Sequence, residues 1–189
     1  MLDPRMPAVK MRPTFVRLAP VSGRHVAAIQ ALAADAAIAR WTTVPHPYPP
    51  DGALRFVDRA QRQRALGASA TFAVCEGDRL VGVAGLTREA ATPERAELGY
   101  WIGRPYWGRG YATAAARQVL AHGFRRMRLR LVFARCASAN GASLHVLEKV
   151  GLRFVALEAP APARAWLGAV RRYQLARDAW RALAERQER

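Results

Sequence analysis

Hydrophobic residues recur at three- and four-residue spacing over 111–127, where Ala112, Ala115, Ala116, Val119, Leu120, Gly123, Phe124 and Met127 share one side of a helical wheel. That period predicts a long amphipathic helix with one buried face. Ahead of it, 95–103 follows the two-residue rhythm of a strand, with Ala96, Leu98, Tyr100 and Ile102 on one face and Glu97 on the other. Two earlier strands are predicted over 71–76 and 79–88, joined at Gly77-Asp78, a tight-hairpin signal. With a polar loop over 89–94, the sheet centre opens as an antiparallel meander. A strand predicted over 129–135 is reached through the long helix, so it should lie parallel to 95–103.

The flanks follow the same rules. A first strand is predicted over 14–18, then a helix over 23–33 capped by Ser22, with a further turn or two over 35–40. Pro45, Pro47, Pro49 and Pro50 forbid regular structure over 41–50. Asp51 is placed to cap the next helix, whose buried side reads Leu54, Phe56, Val57, Ala60 and Ala65. Asn140 caps a helix over 141–150 that Gly151 ends. The last strands are predicted over 152–157 and 166–175, split by a proline-rich loop, and 178–188 reads as a polar helix or tail.

Composition bounds this picture. A chain of 189 residues, 51% of them hydrophobic, suits one domain, and at this size folding buries roughly 70% of the unfolded surface. We expect a single domain over 1–189 with its core at about 13–177. Cys75 and Cys136 form neither a disulfide framework nor a metal-ligand spacing, so no metal is expected. The first residues hold no apolar run, which predicts no signal peptide or membrane span and a cytoplasmic protein. Met6 and Met11 leave the starting methionine open.

The formal net charge is +16, and Lys10 and Lys149 are the only lysines. One reading is a surface facing nucleic acid or the ribosome; the other is a solvated face rich in arginine. No zinc-finger, basic-zipper or aromatic RNA-binding strand pattern occurs.

Between the strand at 95–103 and the long helix lies Trp107-Gly108-Arg109-Gly110-Tyr111-Ala112-Thr113, a loop with no acidic residue. Unbonded N–H groups and the positive end of the helix dipole face outward there, and glycines admit a phosphate close to the main chain. The loop therefore reads as an anion site, the alternative being a turn that uses glycine for geometry alone. No Gly-Lys-Ser/Thr follows, which excludes a nucleotide-hydrolase phosphate loop. Thr113 stands where a dinucleotide fingerprint needs its third glycine.

ELGYWIGRPYWGRGYAT, followed about thirty residues later by NGASLHVLEKVGLRFV, resembles the GCN5-related N-acetyltransferase (GNAT) superfamily, and within it the RimJ/RimL-like branch of ribosomal-protein N-terminal acetyltransferases. The likeness spans about 14–180. It implies an α/β (α+β) fold: one mixed, mostly antiparallel sheet of about six to seven strands, splayed at the centre and flanked by about four helices. It also implies acetyl-CoA as cosubstrate. Gly108, Arg109, Gly110, Tyr111, Ala112 and Thr113 would hold its pyrophosphate through main-chain N–H groups, Trp107 standing where the family has a polar side chain. Tyr100, Trp101 and Ile102 would pair their backbone with the pantetheine arm, and Asn140 and Ser143 fall on the family's second motif.

Acetyl transfer to an amine needs a base for the amine and a donor for the departing thiolate. Glu97 is the candidate base, the alternative being a strand carboxylate paired with an arginine. The family's tyrosine acid, seven residues after the motif asparagine, is replaced by Leu147, leaving Ser143 as the substitute or as a plain first-turn serine. Trp41, His46 and Tyr48 are candidate acceptor contacts, equally readable as a packing loop; His122 and His145 read as packing or surface. The expected function is transfer of acetyl from acetyl-CoA to a primary amine, at a protein N-terminus or on a small molecule, by a monomer or homodimer. The alternatives are a CoA-binding module without catalysis and, on charge alone, a nucleic-acid-binding protein with ribosome contact.

Overall fold

The computed structural model describes residues 15–160 and 162–187. Seven strands form one sheet: β1 (Arg17–Pro20), β2 (Ser69–Glu76), β3 (Arg79–Glu89), β4 (Thr92–Ile102), β5 (Leu131–Ala137), β6 (Arg153–Glu158) and β7 (Val170–Ala176). Their spatial order is β1-β2-β3-β4-β5-β7-β6. Every neighbouring pair is antiparallel except β4 and β5, which run parallel as the intervening helix requires.

Six helices are seen among the described residues: α1 (Val26–Ala33), α2 (Ala36–Ala39), α3 (Gly52–Ala65), α4 (Tyr111–Arg125), α5 (Gly141–Lys149) and α6 (Arg177–Gln187). The two beyond the expected four are the single turn α2 and the polar C-terminal α6. α1 and α3 cover one face of the sheet, packing with Ala73, Cys75, Val83 and Trp101. α4 and α5 cover the other, with Ala84, Leu86, Ala96, Leu98, Val132 and Ala134. On α4, Ala115, Ala116, Val119, Leu120 and Phe124 are buried as the period requires; Val119, Leu120 and Phe124 contribute about 1.5–3 kcal/mol each by leaving water. Gly123 lets this helix lie close, since a Cβ there would sit 2.6 Å from Leu86 Cδ1.

Several local expectations shift. The helix after Ser22 begins as a 3-10 turn over Gly23–His25. Asp51 makes no side-chain bond to the helix N–H groups of α3 and instead pairs with Arg55 at 2.9 Å. Ala53, not Leu54, joins Val57 and Ala60 on the buried side; Leu54 is 59% exposed and Ala65 also faces solvent. The strand expected from 166 starts at Val170, because Pro162–Leu167 forms a 3-10 turn and Gly168 turns the chain at φ +63°. The expected loop at 89–94 shrinks to Ala90-Ala91 between β3 and β4. Thr14 and the terminal extension 1–12 lie outside the described residues.

Candidate active site

The site begins where the two parallel strands stop pairing. Only Arg95–Leu131, Ala96–Val132 and Glu97–Phe133 are in register between β4 and β5. Beyond that point β4 stays on β3, with Gly82 opposite Ile102, and β5 stays on β7, with Ala137 opposite Val170. The sheet therefore splits at its centre. The facing edges of 98–102 and 134–137 keep backbone N–H and C=O groups that no strand of this sheet satisfies, a template for an extended ligand with amide groups of its own. The space beside Gly99 is open: a Cβ built there meets nothing within 4 Å.

β4 runs into a loop that carries the split to α4. A 3-10 turn over Arg104–Tyr106 is followed by Trp107, whose indole Nε1–H donates to the Ile102 carbonyl at 2.5 Å. Gly108 and Gly110 have φ of +74° and +82°, left-handed geometry that glycine adopts without strain. The helical ladder opens with Ala114 N–H donating to Gly110 O at 3.0 Å, so the N–H groups of Tyr111, Ala112 and Thr113 lie ahead of it. A Cβ at Gly108 would meet only open space, as a phosphate cradle requires. Tyr111 turns its side chain away from this mouth into the core and donates its hydroxyl to Glu76, a bond that raises the phenol's pKa. Its ring stands edge-on to Tyr106, over which Arg109 places its guanidinium at 6.0 Å. Tyr111 thus anchors the loop, leaving only its main chain for a ligand.

The two walls of the split bring different chemistry. On the α5 side, Asn140 Oδ1 accepts from Ser143 N–H at 3.1 Å, which fixes the first turn of the helix. Ser143 Oγ lies 2.9 Å from the Tyr100 hydroxyl on β4, and the Ser143 carbonyl lies 3.3 Å from it. Burial raises the Cys136 thiol pKa, and the thiol faces the Ala137 and Asn140 carbonyls at 3.5 and 3.9 Å. Leu147, 1% exposed, is locked in the core. On the opposite face of β4, Glu97 Oε2 pairs with Arg135 Nη1 at 3.1 Å, and Arg135 Nε reaches Glu158 Oε2 at 3.1 Å. Arg172 completes the group by donating to Glu158 Oε1 at 3.0 Å. Burial opposes the charge on Glu158, but its bonds from Arg172 and Arg135 outweigh that and hold its carboxyl below the usual range. Arg95, Arg135 and Arg172 all stand over the Phe133 ring, at 6.0, 5.0 and 4.7 Å.

Where β4 and β5 part, the structure brings Tyr100 to Ser143 and Asn140 on one face of β4 and Glu97 to Arg135 on the other. Trp101 alternates to the other face and packs with α1 and α3. Tyr48 packs in that same cluster, against Gly52, and burial raises its hydroxyl pKa. His46 is exposed, and Trp41 is half-buried beneath the Arg40 guanidinium at 4.9 Å. Sequence reasoning missed Arg135, Glu158 and the side-chain role of Tyr100. Alternation gave the face of each, but strand order decides which residues meet.

The chain belongs to the acetyltransferase (GNAT) family, whose family model, described as an acetyltransferase (GNAT) domain, matches residues 16–153. It is 30% identical over 80 residues to a Bacillus licheniformis protein named "Uncharacterized N-acetyltransferase p20", covering 42% of this chain and 45% of that protein. The chain spans less than half the length of the curated relatives it matches. Among solved structures it is similar to RimL, a ribosomal L7/L12 alpha-N-protein acetyltransferase in complex with coenzyme A, at a TM-score of 0.76 and 19% identity over 89% of this chain and 97% of that one. Mycobacterium smegmatis RimJ in complex with CoA-disulfide matches at 0.76 and 23%, over 90% and 88%. Vibrio cholerae spermidine N-acetyltransferase, with CoA and spermine, matches at 0.74 and 18%, over 87% and 97%.

Proposed function

We propose that the protein transfers the acetyl group of acetyl-CoA to a primary amine by direct attack within a ternary complex. The observation that carries this reading is the sheet split that leads into a glycine-bearing helix start, with a carboxylate on one side and a hydroxyl on the other. The parted edges at 98–102 and 134–137 suit the amide-bearing pantetheine arm, and the N–H groups over 108–113 suit its pyrophosphate. Glu97 accepts the amine proton, directly or through water, and Ser143 donates a hydrogen bond to the departing thiolate.

The electrostatics favour one acceptor class over the other. Glu97 is engaged by Arg135, and Arg95, Arg135 and Arg172 crowd the same face. A peptide α-amine near ~7.8 needs about 2.6 units less help than an alkyl amine near ~10.4, roughly 3.5 kcal/mol. A polycation approaching a chain of net charge +16 is also repelled. The acceptor is therefore a protein or peptide N-terminus, and the setting is the cytoplasm, where two buried free cysteines stay reduced. The test is thiol release from acetyl-CoA across a panel of N-terminal peptides, spermidine and amino sugars. We expect the peptides to exceed spermidine at least tenfold in kcat/KM. The reverse order overturns the acceptor class, and tight acetyl-CoA binding with no turnover on any amine overturns the enzyme.

A further inference from the structure

The residue seven after Asn140, where the resemblance expects a tyrosine acid, is the core leucine Leu147, and a tyrosine from β4 meets the start of the same helix instead. Tyr100 lies on β4, one residue beyond Gly99, and its hydroxyl crosses the split to meet Ser143 Oγ at 2.9 Å. Ser143 is fixed by Asn140, while the Cys136 thiol faces the Ala137 and Asn140 carbonyls at 3.5 and 3.9 Å. Two hydroxyls thus meet at the fork of the sheet.

We propose that Tyr100 is a positioning residue that donates its hydroxyl to Ser143 Oγ and so directs the Ser143 hydrogen into the split, toward the sulfur of the bound coenzyme. The Tyr100 hydroxyl lies nearer Ser143 Oγ, at 2.9 Å, than the Ser143 carbonyl, at 3.3 Å, so its single hydrogen serves the shorter contact in this arrangement. Ser143 Oγ, having accepted from Tyr100, has its own single hydrogen free to point elsewhere, and accepting one hydrogen bond strengthens the one it gives. Burial of the Tyr100 hydroxyl end pushes its pKa far up against the Ser143 bond that lowers it, so Tyr100 stays a donor across the working pH range. In the transfer step the amine nitrogen bonds the acetyl carbon, the carbon–sulfur bond breaks, and the electron pair leaves on sulfur. The amine proton passes to Glu97 or its water. Tyr100 keeps its proton throughout, and its effect on the sulfur travels through Ser143.

This inference rests on coenzyme A occupying the split, as proposed above, but it does not require turnover. The direct test is the ultraviolet thiolate absorbance of CoA bound to the holoprotein, titrated against pH and read as a difference from the CoA-free protein. Wild type should titrate the bound thiol below the value read for free CoA in the same buffer. Tyr100→Phe, which keeps the ring and its packing, should return the thiol toward that value, a severalfold loss of thiolate at pH 8. It should leave the CoA dissociation constant within about twofold. Ser143→Ala should do the same, and the double variant should go no further than Ser143→Ala alone. In turnover, Tyr100→Phe should lower kcat with little change in the acceptor KM. Identical thiol titration in wild type and Tyr100→Phe, or effects of the two variants that multiply, would overturn the proposal. A normal thiol shift in a protein that acetylates no amine would uphold it while sinking the transferase reading.

Discussion

At Glu97 a strand carboxylate shares the Arg135 guanidinium with Glu158, each at 3.1 Å. The pair is partly exposed, so its net stabilisation is small, and its weight lies in orientation. Glu97, held by Arg135, shares its face of β4 with Gly99, where space is open. Glu97→Gln keeps the shape and removes the proton acceptor. It should lower kcat by about 10²–10⁴ and leave the acetyl-CoA dissociation constant unchanged in calorimetry; a kcat within threefold of wild type removes Glu97 from the chemistry. The side that Glu97 occupies could be read from alternation in 95–103, and Asn140 as a helix cap from its place before a helical period. The partners could not. Arg135 and Tyr100 meet Glu97 and Ser143 across 38 and 43 residues of chain, through contacts that only the strand order creates.

The elements were readable where period and punctuation agreed. α4 falls where the spacing put it, and the hairpin turns at Gly77, whose φ is +57°. Ends failed where one turn residue outweighed a hydrophobic run, as at Gly168 ahead of β7. Two elements also carry a pH dependence. His25, buried where the Gly23–His25 turn enters α1, has its pKa lowered by burial and then by Arg24 and Arg17. His122 on α4 is lowered by burial and then by Arg64 and Arg126, with its ring edge-on to Phe72 at 5.0 Å. A histidine whose folded pKa lies below its unfolded value of about 6.5 leaves the unfolded chain with more bound protons. Stability is then full above that value and is lost as pH falls through the folded pKa. Melting temperature should fall between pH 7.5 and 5.5, and His25→Asn with His122→Asn should shrink that drop relative to wild type. An equal drop in the double variant assigns the acid sensitivity to other groups.

Across the whole molecule the arginines have local work before any partner is invoked. Arg177 Nε donates to Leu129 O at 2.6 Å, and Arg88 holds the carbonyls of Gly67 and Met127 at 2.9 Å each. Arg125 lies over Trp180 at 5.4 Å, which itself stacks on Phe124 at 5.1 Å. Cavities of about 550 and 310 Å³ flank Trp180, on the side of α6 and away from the β4–β5 split. No helix among the described residues is long and apolar enough to cross a membrane. The parallel placement of β5 beside β4 was within reach of the long helix between them, while the splay was legible only through the resemblance.

The account depends on the helix start at Gly110 holding a diphosphate. Calorimetric titration of acetyl-CoA into wild type, Gly110→Asn and Gly110→Asp tests that directly. Both replacements tolerate the left-handed backbone, and they differ from each other only in charge at nearly equal size. We predict weakening of a few-fold for asparagine and at least a hundredfold for aspartate, which places a negative charge beside the pyrophosphate. Equal affinity for the two variants would contradict the site.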